Sequence, residues 1–229
     1  MNTDSYIGTE LEVFAHAHNW KEYVRRKINP YLKGDVLEVG AGIGTNTPVY
    51  TAKATYETWT CLEPDACLAA QIPIVPRSER IVGTVQSVAD RRFQALMYLD
   101  VVEHIEDDAA ELKLASDLLK PGGHLIILVP AHQWLYTPFD KAIGHFRRYS
   151  RETLLAAAPP NLQLLSIEYL DSVGMLASMA NKLLLRSAKP TVKQIQMWDR
   201  MLVPPSKIMD VLTAHRLGKS LLAIWRRLK

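Results

Sequence analysis

Cysteine is nearly absent. Cys61 and Cys67 are the only two among 229 residues, they lack the C-x-x-C spacing, and they are too few for a disulfide framework. That composition fits a reducing compartment, with both thiols packed or unreactive. Long apolar runs are missing too: none reaches the ~18 residues that a transmembrane helix needs. The opening MNTDSYIGTELEVF carries acids and no apolar stretch of the kind a secretory signal requires. A cytoplasmic location is the expectation. Repeats and low-complexity segments are also lacking, which sets aside solenoids and disordered linkers. What remains is ordinary globular composition, 48% hydrophobic and 22% charged, in a chain long enough to bury a substantial core as one domain over residues 1–229.

Net charge is small, +3, but unevenly spread. Residues 172–229 hold eleven Lys and Arg against two acids, Asp199 and Asp210, so the rest of the chain is acidic. A basic end of this kind is either a solvated face or a surface that meets an anion: a phosphorylated substrate, nucleic acid or a membrane.

Apolar spacing predicts an amphipathic helix over residues 19–32, with Trp20, Tyr23, Val24, Ile28 and Tyr31 or Leu32 on one face, stopped by Pro30 and Lys33-Gly34. Residues 1–34 then form an N-terminal helical cap. Short strands follow at 35–39, 57–62, 80–85, 93–101 and 124–129, with helices between them. Residues 109–119 form one of these helices, which ends at Lys120-Pro121-Gly122-Gly123. The fifth strand is apolar almost throughout, as a parallel strand covered on both faces must be. This alternation implies a doubly wound α/β sheet. Two more strands are expected at 162–169 and 220–225, separated by a helical insertion or lid over residues 172–217. Within it Ser206 reads as an N-cap, and Ile208, Met209, Val211, Leu212 and His215 as one helix face that stops at Gly218.

The chemistry gathers at the strand ends. Gly40-Ala41-Gly42-Ile43-Gly44 follows the first strand, where glycines let backbone approach a ligand and a helix N-terminus favours an anion. Its G-x-G-x-G spacing departs from the G-x-G-x-x-G of dinucleotide sites. Glu63 ends the second strand, nineteen residues after Gly44, where a carboxylate can accept hydrogen bonds from ribose hydroxyls.

Four motifs together resemble the class I methyltransferases that use S-adenosylmethionine (SAM), in particular the bacterial small-molecule type. Residues 36–44 are similar to their first motif, and Cys61-Leu62-Glu63-Pro64 to the acid of the second strand. Residues 99–107, Leu99 to Asp107, resemble the fourth-strand signature, and Leu119-Lys120-Pro121-Gly122-Gly123 the turn into strand five. The resemblance implies a Rossmann-like seven-stranded sheet whose last two strands are an antiparallel pair. It implies SAM as cofactor, S-adenosylhomocysteine as product, and no metal. It also implies cofactor contacts from Glu38, Gly40, Ala41, Gly42, Gly44, Thr45, Glu63, Pro64, Thr84, Val85, Asp100 and Val101. The glycine-loop amides are expected to meet the methionine carboxylate, and Glu38 to order the loop or face the ammonium. Many relatives carry an acid after the third strand where this chain has Gly83-Thr84-Val85, which leaves the adenine contacts of Thr84 and Val85 less defined than the ribose contact.

The segment after strand five is the candidate acceptor site, because ligands of open α/β sheets lie beyond the carboxyl ends of the strands. Its Gly144-His145-Phe146-Arg147-Arg148-Tyr149 resembles a signature of a bacterial methyltransferase subgroup, some members of which are associated with glycan or lipid-linked pathways. His145 and Asp140 are the candidate bases, with His132 third. Arg147 or Arg148 would hold a phosphate or carboxylate, and His132, Tyr136 and Tyr149 complete the candidate acceptor contacts. The competing reading has this segment cap the domain, with the arginines in structural ion pairs.

The function expected is methyl transfer from SAM to a small-molecule or glycan- or lipid-linked acceptor, phosphorylated or carboxylated. The alternatives are an RNA methyltransferase and a SAM-binding protein without chemistry. Nucleic acid is disfavoured as a partner by the lack of an Asn-Pro-Pro-aromatic tetrad. The basic C-terminal region leaves two readings, a solvated helical cap or a peripheral membrane contact. The acceptor atom and the oligomeric state are not legible.

Overall fold

The computed structural model describes residues 9–184 and 191–228. Residues 1–8 of the expected cap, 185–190 of the expected insertion, and Lys229 lie outside the described residues. Two helices come first among the described residues, α1 (Thr9–Ala15) and α2 (His18–Ile28). Trp20, Tyr23, Val24 and Ile28 are buried on α2, and a 3-10 turn at Asn29–Tyr31 places Pro30 where its missing N–H costs nothing. Then follow β1 (Lys33–Val39), α3 (Thr47–Thr51), β2 (Thr55–Glu63), α4 (Ala66–Ala69), β3 (Ser78–Val82), β4 (Phe93–Leu99), α5 (Asp108–Leu118) and β5 (Leu119–Pro130). The chain continues through α6 (Pro138–Ala142), α7 (Arg151–Ala157), β6 (Leu162–Leu170), α8 (Ser172–Leu184), α9 (Val192–Met197), α10 (Val203–Leu212) and β7 (Ser220–Arg227).

The seven strands form one sheet in the order β3-β2-β1-β4-β5-β7-β6. The first five are parallel and β7 runs antiparallel to both β5 and β6, with a helical insertion between β6 and β7, as expected. The reversal of order beside β1 opens a crevice at the carboxyl ends of β1 and β4. Alternate residues of each central strand enter opposite layers. Val36, Met97 and Ile126 pack with Val24, Ile28, Tyr50 and Trp198, whereas Leu37, Leu96 and Leu125 pack with Leu112, Ala115 and Leu154.

Several local expectations are corrected. β3 stops at Val82, because Thr84 caps a 3-10 turn (Val85–Val88), and β4 stops at Leu99, because Asp100 turns into the left-handed region at φ 56°. The helix expected over residues 109–119 is α5, which ends at Leu118, but residues 120–123 belong to β5 as a bulge, where pairing passes from Leu119 opposite Phe93 to His124 opposite Ala95. Ser206 lies inside α10, fully buried, and donates to Asp171 Oδ1 at 2.6 Å; Pro204 and Pro205 begin the helix instead. The face of α10 that packs inward is Val203, Ser206 and Asp210, so Ile208, Met209, Val211 and Leu212 face outward.

The insertion is fastened by buried acids. Asp171, between β6 and α8, accepts from Trp198 Nε1 (2.7 Å), Ser206 and the Gly174 amide, and pairs with Lys219. Asp210 accepts from Tyr23 Oη and from the amides of Asp171 and Ser172, and Asp199 accepts from the amides of Asn19 and Trp20. Both acids of the basic C-terminal region are thereby turned inward.

Candidate active site

A cleft of about 860 Å³ lies over the carboxyl ends of the parallel strands. One wall is the loop after β1. Gly40 has φ +66° and an added Cβ would meet Val101 Cγ2 at 2.6 Å; at Gly44 (φ +72°) it would meet the Ile72 backbone at 2.9 Å. Both positions require glycine on conformation and on space. Glu38 lies beneath the loop, not in the cleft. Its Oε2 accepts from Thr47 Oγ1 and Trp59 Nε1, each at 2.8 Å, and burial raises its carboxyl to about 7. It ties the end of β1 to the start of α3.

Glu63, at the end of β2, faces the cleft from a largely buried position. Its two oxygens accept from the Gly42 amide (2.8 Å) and the Asp65 amide (3.0 Å), and burial raises its carboxyl above the ordinary value. A carboxylate oxygen has room for a second donor, so Glu63 can hold the glycine loop and a ligand together. Pro64, Thr84, Gly40, Ala41, Gly42, Thr45 and Val101 also line the cleft; Gly44 and Val85 do not, and Val85 is packed in the core.

The glycine-loop amides differ from expectation. Gly40 and Ala41 donate to Leu62 O, Gly42 to Glu63, and Gly44 to Ala41 O. These four donors are engaged within the chain, three on backbone carbonyls and Gly42 on the Glu63 carboxylate. The cation that faces this wall is Lys21 of α2, whose Nζ donates to Ala15 O (3.2 Å) and Thr45 O (3.3 Å). Burial lowers its ammonium to about 8, against the opposing charge of Asp199. The residue spacing Ala17, Lys21, Val24, Ile28 puts it on the buried face of α2, a signal available in the sequence.

The opposite wall comes from β4 and the segment after β5. Asp100 opens to the cleft, and desolvation raises its carboxyl to about 6 against the fields of His145, Lys219 and Arg148. A 3-10 turn (Val102–His104) brings Glu103 and His104 to the floor. Glu103 is fully buried with both carboxyl oxygens free of hydrogen bonds, and burial with the nearby Asp100 charge raises its carboxyl well above the ordinary value. Burial, then His145, lowers His104 to about 4.

Residues 132–148 make an excursion just beyond β5, closed by an isolated bridge between Ala131 and Tyr149. This excursion carries α6, whose N-terminus is closed by a capping box between Thr137 and Asp140. Asp140 is buried and fully engaged: Oδ2 accepts from Thr137, and Oδ1 from His145 Nδ1 (3.1 Å) and Arg148 Nε (2.8 Å). Burial opposes its ionisation, but the His145 hydrogen bond and the Arg148 charge bring it down to about 2. An acid so held is a poor base, which sets Asp140 apart from His145. With Nδ1 on Asp140, His145 turns Nε2 to within 3.7 Å of Glu103 Oε1 at the cleft.

Other candidates lie elsewhere. Arg147 pairs with Asp108 (2.8 Å) and donates to Glu106 O, and Tyr149 is buried with its hydroxyl on Asp108. His132 stacks on Tyr169, and Tyr136 donates to His145 O. None of these four lines the cleft, whereas Arg148 does, together with Lys219, Phe14 and Trp198, which sequence spacing alone did not single out. Among the described residues, Glu103, His104 and His145 bring one donor atom each within 4.8 Å of one another, a set compact enough for a divalent cation.

Comparison with known proteins follows the same outline. A family model for a methyltransferase domain matches residues 14–221. The chain is 29% identical over 154 residues to a ubiquinone biosynthesis O-methyltransferase of Xanthomonas axonopodis pv. citri, covering 59% of this chain and 64% of that protein. It therefore spans just under two thirds of that curated relative. In structure it resembles an S-adenosylmethionine dependent methyltransferase of Mesorhizobium loti (TM-score 0.60, 13% identity, 90% and 96% of the two chains). It also resembles a phosphoethanolamine N-methyltransferase of Haemonchus contortus solved with S-adenosylhomocysteine (TM-score 0.63, 14% identity, 99% and 58%). At these identities the structures speak for the fold.

Proposed function

We infer the reaction from one premise: this chain belongs to the methyltransferase domain family. It transfers a methyl group from SAM to a small-molecule acceptor. The observation that carries this reading is the pairing, across one cleft, of Glu63 at the end of β2 with the buried cation Lys21 beside the glycine loop. A ligand with a diol at one end and a carboxylate at the other meets both needs. Glu63 accepts from the ribose hydroxyls, Lys21 takes the carboxylate in place of the loop amides, and Gly83, Thr84 and Gln86 border the adenine end. When bound, SAM supplies a methyl group already activated by its sulfonium.

The chain's own contribution is position and a proton acceptor. His145, oriented by Asp140 through Nδ1, presents Nε2 to the acceptor side of the cleft. It takes the proton from an acceptor hydroxyl, the acceptor type that the Xanthomonas relative's name carries. Arg148 and Lys219 favour an anionic substituent on the acceptor, a phosphate or carboxylate, free or on a glycan- or lipid-linked intermediate.

A radiolabel-transfer assay with phenolic, carboxylated and phosphorylated acceptors tests this reading. His145→Ala is expected to lower turnover by about 10²–10⁴-fold, the range of general-base catalysis, with SAM affinity retained. Loss of SAM affinity in that variant would make the segment a cofactor lid instead. SAM binding with no transfer to any acceptor class would favour a binding protein without chemistry, and transfer only to RNA would favour the nucleic-acid alternative.

A further inference from the structure

The outward face of the insertion has a composition that the fold does not use. Along α9, the π-helical turn Trp198–Leu202 and α10, the inward positions are Ile195, Trp198, Asp199, Val203, Ser206 and Asp210. At helical spacing, Met201, Ile208 and Leu212 fall on the opposite side, and they are 66%, 66% and 73% exposed. A surface helix ordinarily keeps its outward face polar, and here methionine, isoleucine and leucine occupy it while serine and aspartate are buried on the inner face of α10. Its two acids, Asp199 and Asp210, are consumed by buried hydrogen bonds. The formal charges left outside on residues 191–217 are therefore cations: Arg200 on one flank, Arg216 beyond the helix end and Lys193 before it, whereas Lys207 is half-buried with its ammonium over the Tyr23 ring.

We propose that this face docks on an anionic lipid bilayer, with Met201, Ile208 and Leu212 entering the headgroup–acyl boundary and Arg200 and Arg216 meeting lipid phosphates. An apolar row with basic flanks and no exposed acid is the chemistry of an interfacial helix. A second copy of the chain fits worse, because an isologous contact would bring the same cations together. A nucleic acid would leave the apolar row unburied. The docking does not rest on methyl transfer, since none of Met201, Ile208 or Leu212 lines the cleft.

Cosedimentation with vesicles provides the test, using phosphatidylcholine alone and phosphatidylcholine with about one third phosphatidylglycerol. The expected result is at least about tenfold tighter association with the anionic vesicles. Ile208→Ser with Leu212→Ser should weaken it about tenfold, and Arg200→Gln with Arg216→Gln should do the same. Unchanged thermal melting of the variants would show that the fold is kept. Equal or no association with the two vesicle types overturns the proposal. So does an association lost to the arginine changes but indifferent to the apolar ones, which would mark a general polyanion surface. Dissolution of a dimer by the apolar changes, without an effect on vesicle association, would assign the face to a second copy.

Discussion

A lysine held away from water gives up its proton more readily than an exposed one, and at Lys21 this brings the ammonium to about 8. If its partner is the SAM carboxylate, binding needs the protonated form. SAM affinity should then fall as pH rises through 8 and flatten below it. Lys21→Met should remove that slope and weaken binding by about 1.5–3 kcal/mol, the size of a hydrogen bond to a charged group. Calorimetry at pH 7 and pH 9 measures both, and an unchanged slope in the variant would assign the carboxylate elsewhere. Glu63→Ala should weaken SAM by a similar ~1.5–3 kcal/mol, and unchanged affinity would remove Glu63 from the ribose. That Glu63 and Asp100 face the cleft was legible because the ends of parallel strands are where such a fold displays side chains. Lys21 was passed over, although helical spacing places it on the buried face of α2, because a charge on that face reads as an exception. The engaged glycine amides were not legible, since hydrogen bonds to Leu62 and Glu63 cross between strands distant in sequence.

Elements were readable where one force dominates. The apolar runs of β4 and β5 demand cover on both faces, and the sheet supplies it with alternate residues in two layers. The insertion was misread on α10 because burial there is carried by hydrogen bonds rather than by apolar area. Ser206 and Asp210 are inside because Asp171, Tyr23 and two backbone amides need them. Asp171 is the point on which this arrangement turns. Asp171→Ala would leave Trp198 Nε1 and the Ser206 hydroxyl buried without their acceptor and Lys219 without its pair. The expected loss is about 3–5 kcal/mol, typical of removing one partner from a buried charged network. Hydrogen exchange should rise in α8–α10 while β1, β4 and β5 stay protected. A uniform rise across the sheet would mean that the insertion and the sheet unfold as one unit.

Across the whole molecule, acids and bases are sorted by position rather than by number. The carboxylates of the C-terminal region turn inward to fasten the insertion, and the cleft gathers Asp100, Glu103, Lys21, Arg148 and Lys219 around the sheet's switch point. That gathering was only partly readable in advance. The antiparallel last pair of strands followed from the family resemblance, and the place of the crevice from the carboxyl ends of the parallel strands. Which of Arg147 and Arg148 faces the cleft depends on Asp108 and Asp140, one on α5 and the other on α6. The acceptor side therefore rests on the three-dimensional arrangement, and the cofactor side on the strand ends. Among the described residues, no helix is long and apolar enough to cross a membrane. The most direct test of the central claim is titration calorimetry of the protein with SAM, S-adenosylhomocysteine and NAD in parallel. The account predicts that both adenosyl sulfur compounds bind and NAD does not. Binding of NAD alone would contradict it and leave only the fold in place.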